Sequence, residues 1–199
     1  QVIEDVDEKS GILLSLVPHK KLKKILEALL DENEFFFFFC IRSLSKVHQK
    51  PYTVIIDGKE FGLNYQPGES NSNLFGGNSN WRGPVWIPMN YLIILAMEKY
   101  HKYYQDELQV ALPAHSGNEV NLKIVADELC KRLTKIFVIN PEGKRLFNGR
   151  EDLFNHDKHF KDLVLFYECF HGDNCRGVGA SHQTGWTGLI AEIIDKLEC

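Results

Sequence analysis

The chain has 199 residues, 44% of them hydrophobic, and a formal net charge of −4. That supply of apolar side chains suits one globular unit spanning 1–199 and excludes a disordered chain. The acidic balance argues against a nucleic-acid partner, because such proteins neutralise phosphates with a basic face, and the lack of any run of about 18 uninterrupted apolar residues argues against a membrane partner.

In chain order, the opening QVIEDVDEKSG is acidic where a secretory signal would be basic and then apolar. It begins without methionine, and a start partway through a longer protein is expected. Apolar spacing predicts a helix over 18–33, with Pro18 near its first turn and Lys20, Lys21, Lys23 and Lys24 on its wet face. The five phenylalanines Phe35 to Phe39 follow no amphipathic period and are read as buried packing, since an exposed run would aggregate. Residues 52–56 and 60–65, joined across Asp57-Gly58-Lys59, predict a hairpin because Asp-Gly supplies the positive φ of a tight turn. The stretch 66–80 is too rich in Gly, Ser and Asn for regular structure and reads as a long loop.

A helix is predicted over 85–104, with Tyr91, Leu92, Leu95 and Ala96 on its apolar side, and another over 119–138. The second buries Leu122, Val125, Ala126, Leu129, Leu133 and Phe137. A turn at Asn140-Pro141-Glu142-Gly143 precedes a polar, irregular passage. The apolar stretch 162–170 then leads into a second glycine-rich loop, 171–185, and a closing helix over 185–198. The five cysteines are scattered without a C-x-x-C pair and read as reduced, structural thiols. His156 and His159 flank Asp157 without a third ligand in view, so no metal or other cofactor is expected.

Two segments concentrate the residues a carbohydrate site needs: NSNWRGPVWIPMNYL (78–92) and FYECFHGDNCRGVGASHQTGWT (166–187). Trp faces stack on the C–H faces of sugars, while hydroxyls need convergent donors and acceptors. Trp81 and Trp86 are candidate platforms, with core packing an equal alternative. Arg82 is a candidate fork for adjacent hydroxyls or a carboxylate. Glu168 sits in the apolar string Phe166-Tyr167-Glu168-Cys169-Phe170, where a carboxylate is costly without a task or partner. Its alternatives are a catalytic base and a structural ion pair with Arg82 or Arg176. Asp173 is either a substrate contact or a residue that orders its loop.

The strings GNSNWRGPVW, YECFHGD and GVGASHQTGWT, with LLSLVP, IRSLS and PGES before them, resemble the C-terminal half of family 63 glycoside hydrolases over roughly Gly11 to Leu197. The resemblance implies an all-α chain forming about half of an (α/α)6 barrel, with the hairpin as an insertion. It implies inverting hydrolysis of a terminal α-linked glucose or related sugar from an oligosaccharide or glycoside. Glu168 then matches the general base. Trp81, Arg82 and Trp86 match the substrate-contacting segment, and His182, Gln183 and Trp186 the motif bordering the pocket. The family's general acid is an upstream aspartate with no match here, so the remainder of the barrel becomes a required partner and the chain alone is expected to be inactive. The rival reading is a non-catalytic carbohydrate-binding or structural piece. The chain departs from the family in having Phe36 to Cys40 where relatives carry a turn-like Leu-Ser-Pro-Tyr-Gly, and Cys175 where glycine is usual, which is strained if φ there is positive.

Overall fold

In the computed structural model, residues 3–7, 11–38, 40–73 and 81–198 are described. Two antiparallel strands, β1 (Ile3–Asp7) and β2 (Gly11–Ser15), open the chain and lead into helix α1 (His19–Leu29). Pro18 holds the extended cap position of α1, where its missing N–H costs nothing, and Leu22, Leu26 and Leu30 are buried. The hairpin β3 (Tyr52–Ile56) and β4 (Lys59–Leu63) forms as the Asp-Gly turn predicts, with Asp57 and Gly58 both at positive φ.

Helices α2 (Ile87–Tyr104), α3 (Leu122–Thr134) and α6 (Ile190–Glu198) pack together, α3 lying against both others. The stripe predicted for α3 is buried throughout, and Phe137 just beyond it is 5% exposed. Its N-terminus differs from expectation. Residues Glu119–Asn121 form strand β6 against β5 (Gln109–Ala111), and the helix starts only where the Asn121 side chain accepts from the Ile124 N–H at 3.1 Å. Helix α2 buries Ile87, Asn90, Ile94 and Met97, whereas Leu92, expected inside, is 56% exposed. Apolar side chains surround most of this helix, so spacing alone does not select its inner face. The closing helix is broken at Gly188 into α5 (Thr184–Thr187) and α6. A short α4 (Asp152–His156) occupies the irregular passage.

An all-α half-barrel is not what this chain forms. The structure is mixed, 38% helix and 18% strand. Besides the expected hairpin, three further two-stranded antiparallel sheets are present among the described residues: β1–β2, β5–β6, and β7 (Cys169–Phe170) with β8 (Gly177–Val178). Strands of two to five residues are too short for alternation to register against the longer helical pattern around them.

The phenylalanine run is also only partly buried. Phe36 is enclosed but Phe38 is 64% exposed; Phe39 lies outside the described residues. Two cations fix the segment: Arg132 lies over the Phe36 ring at 4.2 Å and Arg42 over Phe37 at 4.3 Å. Cys40, Cys130, Cys169 and Cys175 are free and buried. No helix among the described residues is long and apolar enough to cross a membrane.

Candidate functional site

The two motif segments meet through one pair of backbone hydrogen bonds. Val85 and Phe170 exchange both N–H groups, at 2.8 and 2.9 Å, so the strand-like entry to α2 lies beside the β7–β8 hairpin. Gly172 makes this approach possible: a Cβ there would meet the Gly83 carbonyl and the Tyr65 hydroxyl. The pairing brings Trp86 onto Cys169 and Val178, with Trp186 packed against them. Trp186 is carried by α5, which is tied down where the buried Thr187 hydroxyl donates to the Tyr167 carbonyl.

Trp81, Trp86, Glu168, Gln183 and Trp186 line an open cleft of about 330 Å³. Trp81 stacks on Trp86 with ring centroids 4.2 Å apart and planes at 27°, and Trp186 meets Trp86 edge-on at 6.1 Å and 88°. Trp81 is 47% exposed and offers a free face. The Nε1 hydrogens of Trp86 and Trp186 are buried without an acceptor among the described residues. Glu168 is half-buried in this wall, and its carboxylate has no hydrogen-bond or ion-pair partner among the described residues. Both arginines considered as its structural partners are engaged elsewhere: Arg176 pairs with Glu69 at 2.7 Å, and Arg82 donates to the Ser70 hydroxyl at 3.0 Å. Its carboxylate is placed by Gly179, at φ +75°, where a Cβ would stand 2.6 Å from Glu168 Oε2. The backbone there skips a residue, Glu168 N–H donating to Ala180 rather than Gly179, which makes a bulge that turns the strand. Burial pushes the neighbouring Cys169 thiol up to about 12, with Glu168 adding to the rise, so that sulfur is no nucleophile at neutral pH.

Three residues expected at the site stand outside the cleft lining. Arg82 is 4% exposed, and burial alone lowers its pKa from the ordinary value. His182 is exposed and contributes its backbone to a bridge with Phe166. Asp173 accepts from Arg42 at 3.4 Å and from the Tyr65 hydroxyl at 3.0 Å, both side chains from outside its own loop. The sequence reading missed Arg42, Tyr65 and Gly179. Arg42 carries a signal in retrospect, a lone charge following Cys40-Ile41, whereas Gly179 is one of several glycines in its loop and nothing marks it. A larger hollow of about 880 Å³, walled by Asn140, Glu142, Arg145, Glu151, Arg176 and others, contains no aromatic side chain and so offers no platform for a sugar face.

Residues 11–126 match the glycosyl hydrolase family 63 C-terminal domain; the Glu168 segment lies beyond that span. An uncharacterized protein of Saccharomyces cerevisiae is 46% identical over 94% of this chain. The mannosyl-oligosaccharide glucosidase of the same yeast is 26% identical over 92%, and a probable mannosyl-oligosaccharide glucosidase of Schizosaccharomyces pombe 25% identical over 93%. The chain spans only 16–17% of the length of these relatives. With its motif segments meeting at a tryptophan-walled cleft and more than half its length matched, this chain belongs to glycosyl hydrolase family 63, as a C-terminal domain of that family.

Proposed function

We propose that this domain supplies the general base and part of the sugar-binding wall of an inverting glycosidase acting on a terminal α-linked glucose or related sugar. The observation that carries the reading is the Glu168 carboxylate, without a partner among the described residues in a cleft walled by three tryptophans. A carboxylate so placed accepts a proton from water attacking the anomeric carbon, while Trp81 offers a face to the ring and Gln183 both a donor and an acceptor to hydroxyls. Inversion needs a second carboxyl group about 6.5–9.5 Å away, on the opposite side of the sugar. Glu168 is the only carboxylate in the cleft wall among the described residues, so the acid comes from polypeptide outside this domain. Family membership and the likeness to the two mannosyl-oligosaccharide glucosidases support the substrate class.

The same lone carboxylate favours a second reading, a cleft that binds sugar without cutting it. Both are separated in a longer chain that joins this domain to the region preceding it in the relatives. There Glu168→Gln is expected to lower kcat on an α-glucoside by at least about 10²-fold, the usual contribution of a general base, with binding little changed. Unaltered turnover removes Glu168 from the mechanism. Sugar-induced quenching of tryptophan fluorescence without any hydrolysis, in both the parent and the variant, selects the binding reading.

A further inference from the structure

Among the described residues, the β3–β4 hairpin presents a mostly apolar face that is largely exposed. Its register pairs Tyr52 with Leu63, Val54 with Phe61 and Ile56 with Lys59, so five apolar side chains and Lys59 share one side of the ribbon. The other side carries Thr53, Ile55, Glu60 and Gly62. An antiparallel ribbon with one mostly apolar side normally packs that side on a core, yet here Tyr52 is 62%, Ile56 56% and Phe61 52% exposed, and Ile55 on the other side is 76% exposed. A lone two-stranded ribbon is marginal in water, and a contiguous apolar patch of this kind marks an interaction surface.

We propose that this face is covered by the polypeptide that precedes the domain in longer family 63 chains, making β3–β4 the docking element between the two. Family membership and the exposure of the hairpin lead to this assignment, and the role of Glu168 does not enter it. The matched family is a C-terminal domain, and the relatives devote only 16–17% of their length to the region this chain matches, so chains of that kind carry ample further polypeptide to cover the face. A second copy of the chain is the weaker occupant. The face is formed by six side chains, against roughly 20–30 residues a side in a standard interface, whereas a segment in the same polypeptide docks without the entropy loss of bimolecular association.

The test replaces the matching region of the 46%-identical Saccharomyces cerevisiae protein with this chain and compares the chimera with the isolated chain. Amide exchange over 52–63 is expected to be at least about tenfold slower in the chimera. The double substitution Ile56→Lys and Phe61→Lys is expected to lower the chimera's soluble yield and Tm while leaving the isolated chain's Tm unchanged. Equal exchange in both contexts overturns the proposal, as does a chimera no more soluble with the native hairpin than with the lysines. An isolated chain that sediments as a dimer, and dissociates when the lysines are introduced, assigns the face to a second copy instead. Loss of hydrolysis in Glu168→Gln bears on none of these outcomes.

Discussion

At Gly179 the backbone conformation and the position of the candidate base are one fact. Its φ of +75° is a left-handed value that costs an L-residue about 1–2 kcal/mol, and the space a Cβ would fill is taken by Glu168 Oε2 at 2.6 Å. Gly179→Ala is therefore expected to destabilise the domain by about 2 kcal/mol in denaturant unfolding, combining backbone strain with the displaced carboxylate. In a Glu168→Ala background the closest clash is gone, so the penalty should shrink toward the strain alone; full additivity in this double-mutant cycle would show that the carboxylate does not rest on Gly179. Much of the site was legible at this scale. Glu168, Trp81, Trp86, Gln183 and Trp186 were singled out from two segments about 80 residues apart and share one cleft. Arg82, Asp173 and His182 belong to the same motifs and point elsewhere, because a motif marks which stretches meet, while the bulge and turns inside it decide where each side chain goes. Cys175 shows the reverse: an expected strain that the backbone bears, at φ +59°, held by a buried thiol.

The second loop, between β7 and β8, is held by its own polar groups and responds to pH through one of them. His171 Nδ1 accepts from the Asp173 N–H at 3.1 Å, which requires an unprotonated Nδ1, and the ring edge fills the space beside Gly68. Burial lowers the His171 pKa below its ordinary value; Asp173 and Glu69 pull upward and Arg176 adds to the fall. The folded state thus binds a proton less readily than the unfolded chain. Stability from this element is fully present above the unfolded pKa of about 6.5 and is lost as pH falls from there toward the folded value. Urea midpoints should accordingly fall between pH 7.5 and 5.5, and more steeply in the parent than in His171→Asn, whose amide oxygen replaces the acceptor without titrating. Parallel curves for the two proteins would remove His171 as the cause. Among elements, those with many residues were the readable ones. The buried stripe of α3 and the Asp-Gly hairpin were fixed by local pattern, whereas β5–β6 is a three-residue ladder too short for alternation to show and β7–β8 is completed by distant backbone, where Val85 pairs with Phe170.

Across the whole molecule, Arg42 joins parts that neither helix packing nor the motifs connect. Its side chain is wholly buried, and it donates to the Glu34, Phe36 and Gly172 carbonyls at 3.2, 3.0 and 3.3 Å and to Asp173 at 3.4 Å. These bonds tie the phenylalanine segment to the second glycine-rich loop, and Tyr65, donating to the same Asp173 oxygen, adds the strand leaving the hairpin. The candidate cleft depends on this junction, since Gly172 and Asp173 lie just after β7 and Glu168 immediately before it. A buried cation is costly to desolvate, and here the planar guanidinium is matched by carbonyls and a carboxylate in several directions at once. Removing it leaves Asp173 with Tyr65 and the Lys46 ammonium 3.8 Å away, and takes the arginine donor from the Phe36 and Gly172 carbonyls. Arg42→Met is expected to cost about 3–5 kcal/mol in denaturant unfolding, a large share of a domain's total stability of about 5–15 kcal/mol. Arg42→Lys should recover little, because one ammonium on a flexible stem cannot reach the set of acceptors the fork spans. Asp173→Asn should cost less than Arg42→Met, since the arginine keeps its three carbonyl partners and the amide oxygen still accepts from Tyr65. If Arg42→Lys proves as stable as the parent, the junction is held by charge alone, and the directional bonding that fixes the loop behind Glu168 must come from somewhere else.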